Sequence, residues 1–182
     1  MPEPGAVPEY WEEAKASLIR ADSILAEVIA SREQPVLTSR GDMFLTLTGS
    51  IVSQQISTKA AKSVWSRVES LVGEVTPKSI LSHTHEELRG CGLSGRKAEY
   101  IHGIAEAWTN GYEDIRWEDL SDEEASERLV TLRGVGTWTA EMILIFALLR
   151  PDVFPIGDIG VVRAMERLYN DGGVMSTEEL VG

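Results

Sequence analysis

Apolar residues recur every three or four positions along most of this chain, which is the spacing of one face of an α-helix. The first such run extends from Trp11 to Val28 and predicts a single helix there. Later runs each follow a residue whose side chain can accept a hydrogen bond from the first turn of a helix. No segment shows the alternation expected of a strand, so the sequence predicts an all-α fold. The predicted N-cap residues are Asp42, Ser57, Thr76, Thr84, Ser121 and Asp158.

One predicted helix is apolar on almost every side. It extends from Thr137 to Leu149, and every residue from Met142 onward is apolar. A helix of this kind must be covered by other helices, so we expect it at the centre of the fold with helical lobes around it. Gly134 and Gly136 come just before it and predict a tight hairpin between this helix and the preceding one.

Length and composition are those of a globular protein. The chain has 182 residues, 43% of them hydrophobic and 25% charged, which excludes a wholly disordered chain or a coiled-coil rod. No apolar run approaches the ~20 residues that span a bilayer, and the N-terminus lacks a signal-peptide pattern, so we expect an intracellular protein. We divide the chain into an N-terminal arm and helix packing on the body, residues 1–40, and a main domain, residues 41–182, with the hairpin at 128–149 and a turn at 150–158.

The formal net charge of −12 argues at first against a nucleic-acid partner, because phosphate contacts normally require a basic surplus. The distribution of charge weakens that argument. Residues 111–182 carry 15 acidic and 6 basic residues, whereas residues 41–110 carry 7 of each. Eight of the acidic residues lie between Glu113 and Glu127. A surface that binds DNA elsewhere on the protein is therefore compatible with the sequence.

The glycine hairpin also suggests a chemistry. Glycines let backbone N–H groups approach a ligand closely, and the helix that follows presents free amides and the positive end of its dipole. Such a site favours a phosphate without any basic side chain. Taken alone, the hairpin is explained equally well as an ordinary turn between two helices.

A second feature follows the apolar helix. Twenty-two residues after Gly136, the segment Phe154–Asp158 brings a carboxylate to a helix start through a turn that contains Pro155 and Gly157. By itself Asp158 is explained as an N-cap.

Together these features resemble the helix-hairpin-helix/Gly-Pro-Asp superfamily of DNA glycosylases, and in particular its alkylated-base branch, the DNA-3-methyladenine glycosylase II type. The resemblance extends from about Gly41 to Tyr169 and implies the glycosylase fold of that superfamily. It also implies a monomer that excises 3-methyladenine or 7-methylguanine from double-stranded DNA by base flipping, in base excision repair. The segments that carry it are Leu132–Ala140, Phe154–Asp158, Gly49–Ser57 and Gly92–Ala98.

The resemblance also implies roles for individual residues. Asp158 would be the catalytic carboxylate, stabilising the positive charge that develops on the sugar and orienting the attacking water. Trp138 and Met142 would line the base pocket, and Gln55 with Ile56 would fill the space left by the flipped base. Without the resemblance, the glutamines are ordinary turn residues. The remaining expected DNA contacts are Gln54, Ser94, Lys97, Gly134, Val135, Gly136 and Thr139.

Trp138 occupies the position at which relatives that also cut the DNA backbone have a nucleophilic lysine. An indole cannot form a Schiff base, so we expect no lyase activity. It can instead stack on a flat, cationic base. Cys91 is the only cysteine, which excludes a four-cysteine iron–sulfur cluster. We expect no cofactor except a structural monovalent cation at the carbonyls of Leu132 and Val135, as in some relatives.

Two features depart from the branch. Met142 occupies the position of a pocket tyrosine in the bacterial archetype, and we expect this chain to lack the last helices of the family, which supply another pocket aromatic. A helix-start pattern at Ser176–Leu180 lies just before the end, so we expect the chain to be truncated. The open alternatives are a glycosylase for deaminated or oxidised purines, a non-catalytic DNA-binding module, and a helical adaptor between proteins. As a repair enzyme it would act in the nucleoid or cytoplasm of a prokaryote, or in the nucleus of a eukaryote.

Overall fold

A computed structural model describes residues 1–31 and 36–181 of the chain. The described residues contain helices and connecting turns but no strand, which confirms the all-α prediction. The helices are α1 (Trp11–Ala21), α2 (Ser23–Ser31), α3 (Met43–Ser53), α4 (Thr58–Val72), α5 (Pro77–Leu81), α6 (His85–Gly90), α7 (Gly95–Ala107), α8 (Asp122–Val130), α9 (Thr137–Phe146), α10 (Ile159–Tyr169) and α11 (Thr177–Val181). None of these is long and apolar enough to cross a membrane.

The predicted N-caps are confirmed. The side chain of Asp42, for example, accepts the Leu45 N–H at 2.8 Å and begins α3. Thr76, Thr84 and Ser121 each form a capping box, in which the residue three positions later bonds back to the backbone of the cap. These helix starts were predictable because each depends on residues only three positions apart.

Two predicted helix boundaries are wrong. The helix expected over residues 11–28 is broken at Asp22, which has an extended backbone and accepts the N–H groups of Ile24 and Leu25 at 2.7 and 2.9 Å. Asp22 thereby caps a second helix, and this single-residue break barely alters the apolar spacing. The apolar helix ends at Phe146 rather than at Leu149, which has a φ of 55°. Residues 147–149 are nevertheless buried. A continuous run of apolar residues indicates burial, but it does not show where a helix ends.

The core lies where α3, α7 and α9 pack together. α3 contacts α4, α7 and α9, and α8 also packs against α9. One face of α9 is fully buried through Ala140 and Ile143, while its opposite face, which includes Met142, is only half-buried. α9 thus joins the core to a partly open surface. The fully buried side chains of the core include Phe44, Leu47, Ile51, Ile101, Ile104, Leu129 and Ile143.

The N-terminal segment packs against the end of α9 and against α10. The Tyr10 hydroxyl donates to the Leu149 carbonyl at 2.9 Å, and the Ser39 hydroxyl donates to the Ala147 carbonyl at 3.2 Å. The Tyr169 hydroxyl of α10 donates to Asp22 at 2.8 Å. These contacts fix the start of the chain beside α10. The boundary at residue 40 remains a prediction, and residues 32–35 of the proposed arm lie outside the described residues.

Candidate active site

The hairpin between α8 and α9 is closed by its own backbone. The Val135 N–H donates to the Leu132 carbonyl at 3.0 Å, and Gly134 has a φ of 88°, a left-handed conformation that glycine adopts without strain. A Cβ atom on Gly134 would overlap the ring of Tyr100 on α7. Gly136 has a φ of −98° and open space around it. The first glycine is thus required by the fold, whereas the second is free to face a ligand.

Asp158 begins α10 as its N-cap. Its Oδ1 accepts the N–H groups of Gly160 and Val161 at 2.8 and 3.1 Å. Its Oδ2 accepts the indole Nε1–H of Trp138, at the start of α9, at 2.9 Å. Both carboxylate oxygens are therefore held, and one bond joins the hairpin helix to the Pro-Gly turn.

These hydrogen bonds set the charge of Asp158. The Trp138 indole is the largest cause, and together with the two backbone N–H groups it holds the pKa of Asp158 below its ordinary value, although partial burial opposes this effect. The carboxylate is therefore ionised at neutral pH. It is half-buried, so it is fixed in position and still reachable from outside.

Two further residues, Met142 and Gly157, lie near Trp138. Met142 is one helical turn beyond Trp138, so both residues lie on the same half-buried side of α9. Gly157 packs against Trp138, because a Cβ at position 157 would lie 3.9 Å from the Trp138 Cβ. The Trp138 indole thus borders a fixed anion, and the Met142 thioether lies one turn further along the same side of α9, an arrangement suited to a flat apolar or cationic group.

The turn after α3 lies beside the hairpin. The Gln54 Nε2 donates to the Gly134 carbonyl at 3.0 Å and to the Thr139 hydroxyl at 3.3 Å. Gln55 has a φ of 58° and is exposed, and the Ile56 side chain is 40% exposed. Gln54 is turned into the protein, whereas Gln55 and Ile56 face outward. Because they face outward, Gln55 and Ile56 could fill the space left by a flipped base. That role remains a prediction.

Ser94 and Lys97 have contacts within the protein. Ser94 caps α7 by accepting the Lys97 N–H at 3.3 Å. The Lys97 ammonium donates to the carbonyls of Val52 and Gln54 at 2.8 and 2.6 Å, and burial lowers its pKa. Their expected phosphate contacts remain predictions. These residues and the turn at Gln55 line a common cavity of about 220 Å³.

The hairpin residues divide into two groups. The side chains of Val135 and Thr139 are buried, with Thr139 only 3% exposed, so these two residues offer a ligand their backbone at most. Gly136 is exposed and Gly134 half-buried. The support that Tyr100 gives to the hairpin was not predictable from the sequence, because Tyr100 lies more than 30 positions away and belongs to no motif.

The cation expected at the hairpin would use backbone oxygens. The Leu132 carbonyl accepts the Val135 N–H and retains a second lone pair. Across residues 1–31 and 36–181, no group of three or more His, Cys, Asp and Glu side chains is arranged to hold a metal ion.

The described part of the fold is all-helical, with a glycine hairpin at the start of α9. A carboxylate at the start of α10 accepts a hydrogen bond from the first turn of α9. These features define a helix-hairpin-helix protein. The family described as "HhH-GPD superfamily base excision DNA repair protein" matches residues 48–181. The chain belongs to this superfamily, as the sequence motifs predicted.

Individual relatives carry the name of the alkylated-base branch. A Saccharomyces cerevisiae DNA-3-methyladenine glycosylase is 38% identical over 151 residues, which are 77% of this chain and 51% of the relative. The Schizosaccharomyces pombe DNA-3-methyladenine glycosylase 1 is 39% identical over 128 residues, which are 68% of this chain and 56% of the relative. The chain thus spans about half the length of these curated relatives.

A solved structure is similar over most of the chain. It is a 3-methyladenine DNA glycosylase from Schizosaccharomyces pombe in complex with abasic DNA. The TM-score is 0.80 at 30% identity, and the match covers 93% of this chain and 86% of that one. The structural similarity therefore extends over nearly the whole chain.

Proposed function

We propose that this chain is a monofunctional DNA glycosylase domain that excises alkylated purines, such as 3-methyladenine and 7-methylguanine, in base excision repair. It acts as a monomer on double-stranded DNA that contains a damaged base, and has no lyase activity. The observation that carries the proposal is the 2.9 Å bond between the Trp138 indole and the Asp158 carboxylate, at the point where the hairpin helix meets α10. The names of the relatives support the substrate class.

The charge of Asp158 supports a particular role in the reaction. Cleavage of the N-glycosidic bond builds positive charge on the deoxyribose, and a fixed carboxylate stabilises that charge and orients a water molecule. Because its pKa is lowered, Asp158 is ionised at neutral pH and cannot donate a proton to the departing base. A base that already carries a positive charge leaves without such a proton. This requirement favours alkylated purines over neutral oxidised ones.

The pocket and the DNA contacts follow from the same geometry. The Trp138 ring and the Met142 thioether would receive the flipped base by stacking and by the attraction of the indole for a cation. The exposed side chains of Gln55 and Ile56 would fill the space it leaves. The backbone around Gly136 would hold a phosphate, because free helix amides and the helix dipole both favour an anion.

No organic cofactor is needed for this hydrolysis. A monovalent cation held by the carbonyls of Leu132 and Val135 would add positive charge where the hairpin meets the DNA backbone. The reaction would take place wherever the DNA is kept, in the nucleoid or cytoplasm of a prokaryote or in the nucleus of a eukaryote.

The test is the release of methylated bases from methylated duplex DNA, measured by chromatography, with Asp158→Asn as the variant. Asparagine caps a helix as well as aspartate does, so the fold should be retained. A carboxylate about 4 Å from a unit charge contributes about 4 kcal/mol at an effective dielectric constant of about 20. Its loss should slow release by about a thousandfold, since about 1.4 kcal/mol corresponds to a factor of ten. Asp152→Asn, an exposed change six residues earlier, is the matched control.

Each other outcome favours an alternative. If Asp158→Asn releases bases as fast as the parent chain, the catalytic assignment is wrong. If only deaminated or oxidised purines are released, the substrate class is wrong. If DNA is bound without any release, the chain is a binding module. If there is no salt-dependent binding to DNA, the remaining alternative is a helical adaptor.

A further inference from the structure

Three parts of the fold meet at the end of α3: the turn at residues 54–56, the hairpin, and the start of α7. Two polar side chains connect them. The Gln54 amide joins the turn to the hairpin, and the Lys97 ammonium joins the turn to α7. Neither connection is explained by contact with DNA, since both side chains are directed into the protein.

The hairpin uses both donors of the Gln54 amide nitrogen. This nitrogen carries two N–H donors, and these reach the Gly134 carbonyl at 3.0 Å and the Thr139 hydroxyl at 3.3 Å. The orientation of the amide is fixed by its partner, because its oxygen would be repelled by the Gly134 carbonyl. A single side chain thus links the turn to both the loop of the hairpin and the first turn of α9.

Lys97 holds the same turn from the other side. The last carbonyls of α3 have no partner within the helix, and the negative end of its dipole attracts a cation. The Lys97 ammonium donates hydrogen bonds to the carbonyls of Val52 and Gln54 and also places a positive charge at this end of the helix. Gln54 is therefore held through its backbone by α7 and through its side chain by the hairpin.

Fixing Gln54 in this way also restrains the backbone of the next residue, Gln55. Gln55 has a left-handed φ of 58°, which costs a residue other than glycine energy and persists only when its neighbours enforce it. The anchors on either face of Gln54 provide that enforcement. They keep an exposed side chain in one position relative to the hairpin.

We propose that Gln54 is a positioning residue, which couples the turn carrying Gln55 to the hairpin so that both meet a duplex as one rigid unit. Lys97 is its second anchor. The effect on DNA rests on the proposed function, whereas the coupling itself is a property of the free protein. A flipped base and the phosphates beside it lie at a fixed spacing, so the two contacting parts must keep a fixed spacing as well.

The first experiment measures amide hydrogen exchange of the free protein by mass spectrometry. Gln54→Met keeps the side-chain length but removes both donors. Exchange should rise about fivefold or more in residues 53–57 and in residues 133–139 together, because lost hydrogen bonds raise local opening. Gln55→Met, the same change at the exposed neighbour, should leave the hairpin unchanged, and Lys97→Met should affect the turn alone. Unchanged exchange of the hairpin in Gln54→Met would overturn the coupling.

Thr139→Val provides a second variant of similar shape, which removes one acceptor and leaves the bond to Gly134. It should raise exchange in both segments by less than Gln54→Met does. An increase confined to the hairpin would also overturn the coupling.

The second experiment compares two substrates in single-turnover base release. One carries 7-methylguanine in a paired duplex and the other carries it in a one-nucleotide bulge, where flipping is easier. Gln54→Met should lose tenfold or more on the paired base and much less on the bulged base. Equal losses on both would indicate a general folding defect and overturn the positioning role. If the parent chain releases neither base, the proposed function fails, and the exchange result still decides the coupling.

Discussion

Replacing Gly134 by alanine should destabilise the fold for two separate reasons, one in the backbone conformation and one in the packing of the side chain. Its φ of 88° is left-handed, a region that costs an L-residue roughly 1–2 kcal/mol. The added methyl group would also overlap the ring of Tyr100, and overpacking of this kind typically costs about 1–3 kcal/mol. The sum of about 2–5 kcal/mol is a large part of the roughly 5–15 kcal/mol that holds a domain of ordinary stability.

Urea unfolding of a double-mutant cycle separates the two costs. Tyr100→Ala removes the ring, so in that background Gly134→Ala should cost only the backbone part, about 1–2 kcal/mol. Gly136→Ala is the control within the same hairpin, since its φ of −98° is ordinary and open space surrounds it. We expect it to change the free energy of unfolding by about 1 kcal/mol or less. Two results would contradict this account: a loss of unfolding free energy in Gly134→Ala no larger than that in Gly136→Ala, or the same loss in Gly134→Ala with and without the Tyr100 ring.

Three further changes test the site and its support. Trp138→Phe removes the main cause of the lowered pKa of Asp158; that pKa should rise, and the acid limb of kcat/KM for base release should move to higher pH. In Gly160→Ala the new Cβ would lie 3.0 Å from Asp158 Oδ1 and displace the carboxylate. Single-turnover base release should therefore slow by about tenfold, which corresponds to about 1.4 kcal/mol. The melting temperature should not fall, because alanine favours the helix more than glycine does. Arg150→Leu removes the ion pair with the half-buried Asp122 carboxylate and the hydrogen bonds to the Trp117 and Leu120 carbonyls, and urea unfolding should show a loss of roughly 2–3 kcal/mol. An unmoved acid limb, undiminished release or unchanged unfolding would contradict the respective prediction.

The helix starts were predictable because the physics is local. A threonine at position 84 and a glutamate at position 87 form a capping box whatever the rest of the chain does. The same holds for Asp158 as an N-cap. The break at Asp22 was missed although its signal is also local, because the apolar spacing continues across it.

The connections between distant parts of the chain were not predictable from one sequence. The motif around Gln54 indicates a turn, but nothing local shows that its amide bonds to a carbonyl 80 residues away. Similarly, Lys97 is indistinguishable from an exposed lysine until α3 and α7 are packed together. Motifs in the sequence therefore indicate candidate residues for the site, while the tertiary fold decides which of them are exposed and which hold the others in place.

The acidic surplus has a structural explanation that leaves the hairpin free. Asp122, Glu123 and Glu124 occupy the first turn of α8, where negative charge is favoured by the helix dipole. The hairpin follows the opposite end of this nine-residue helix, about 13 Å away at about 1.5 Å per residue. That distance exceeds the Debye length of about 8 Å at physiological ionic strength, so repulsion of a phosphate at the hairpin is largely screened. The net charge of −12 thus weakens long-range attraction to DNA without opposing a contact made through backbone amides.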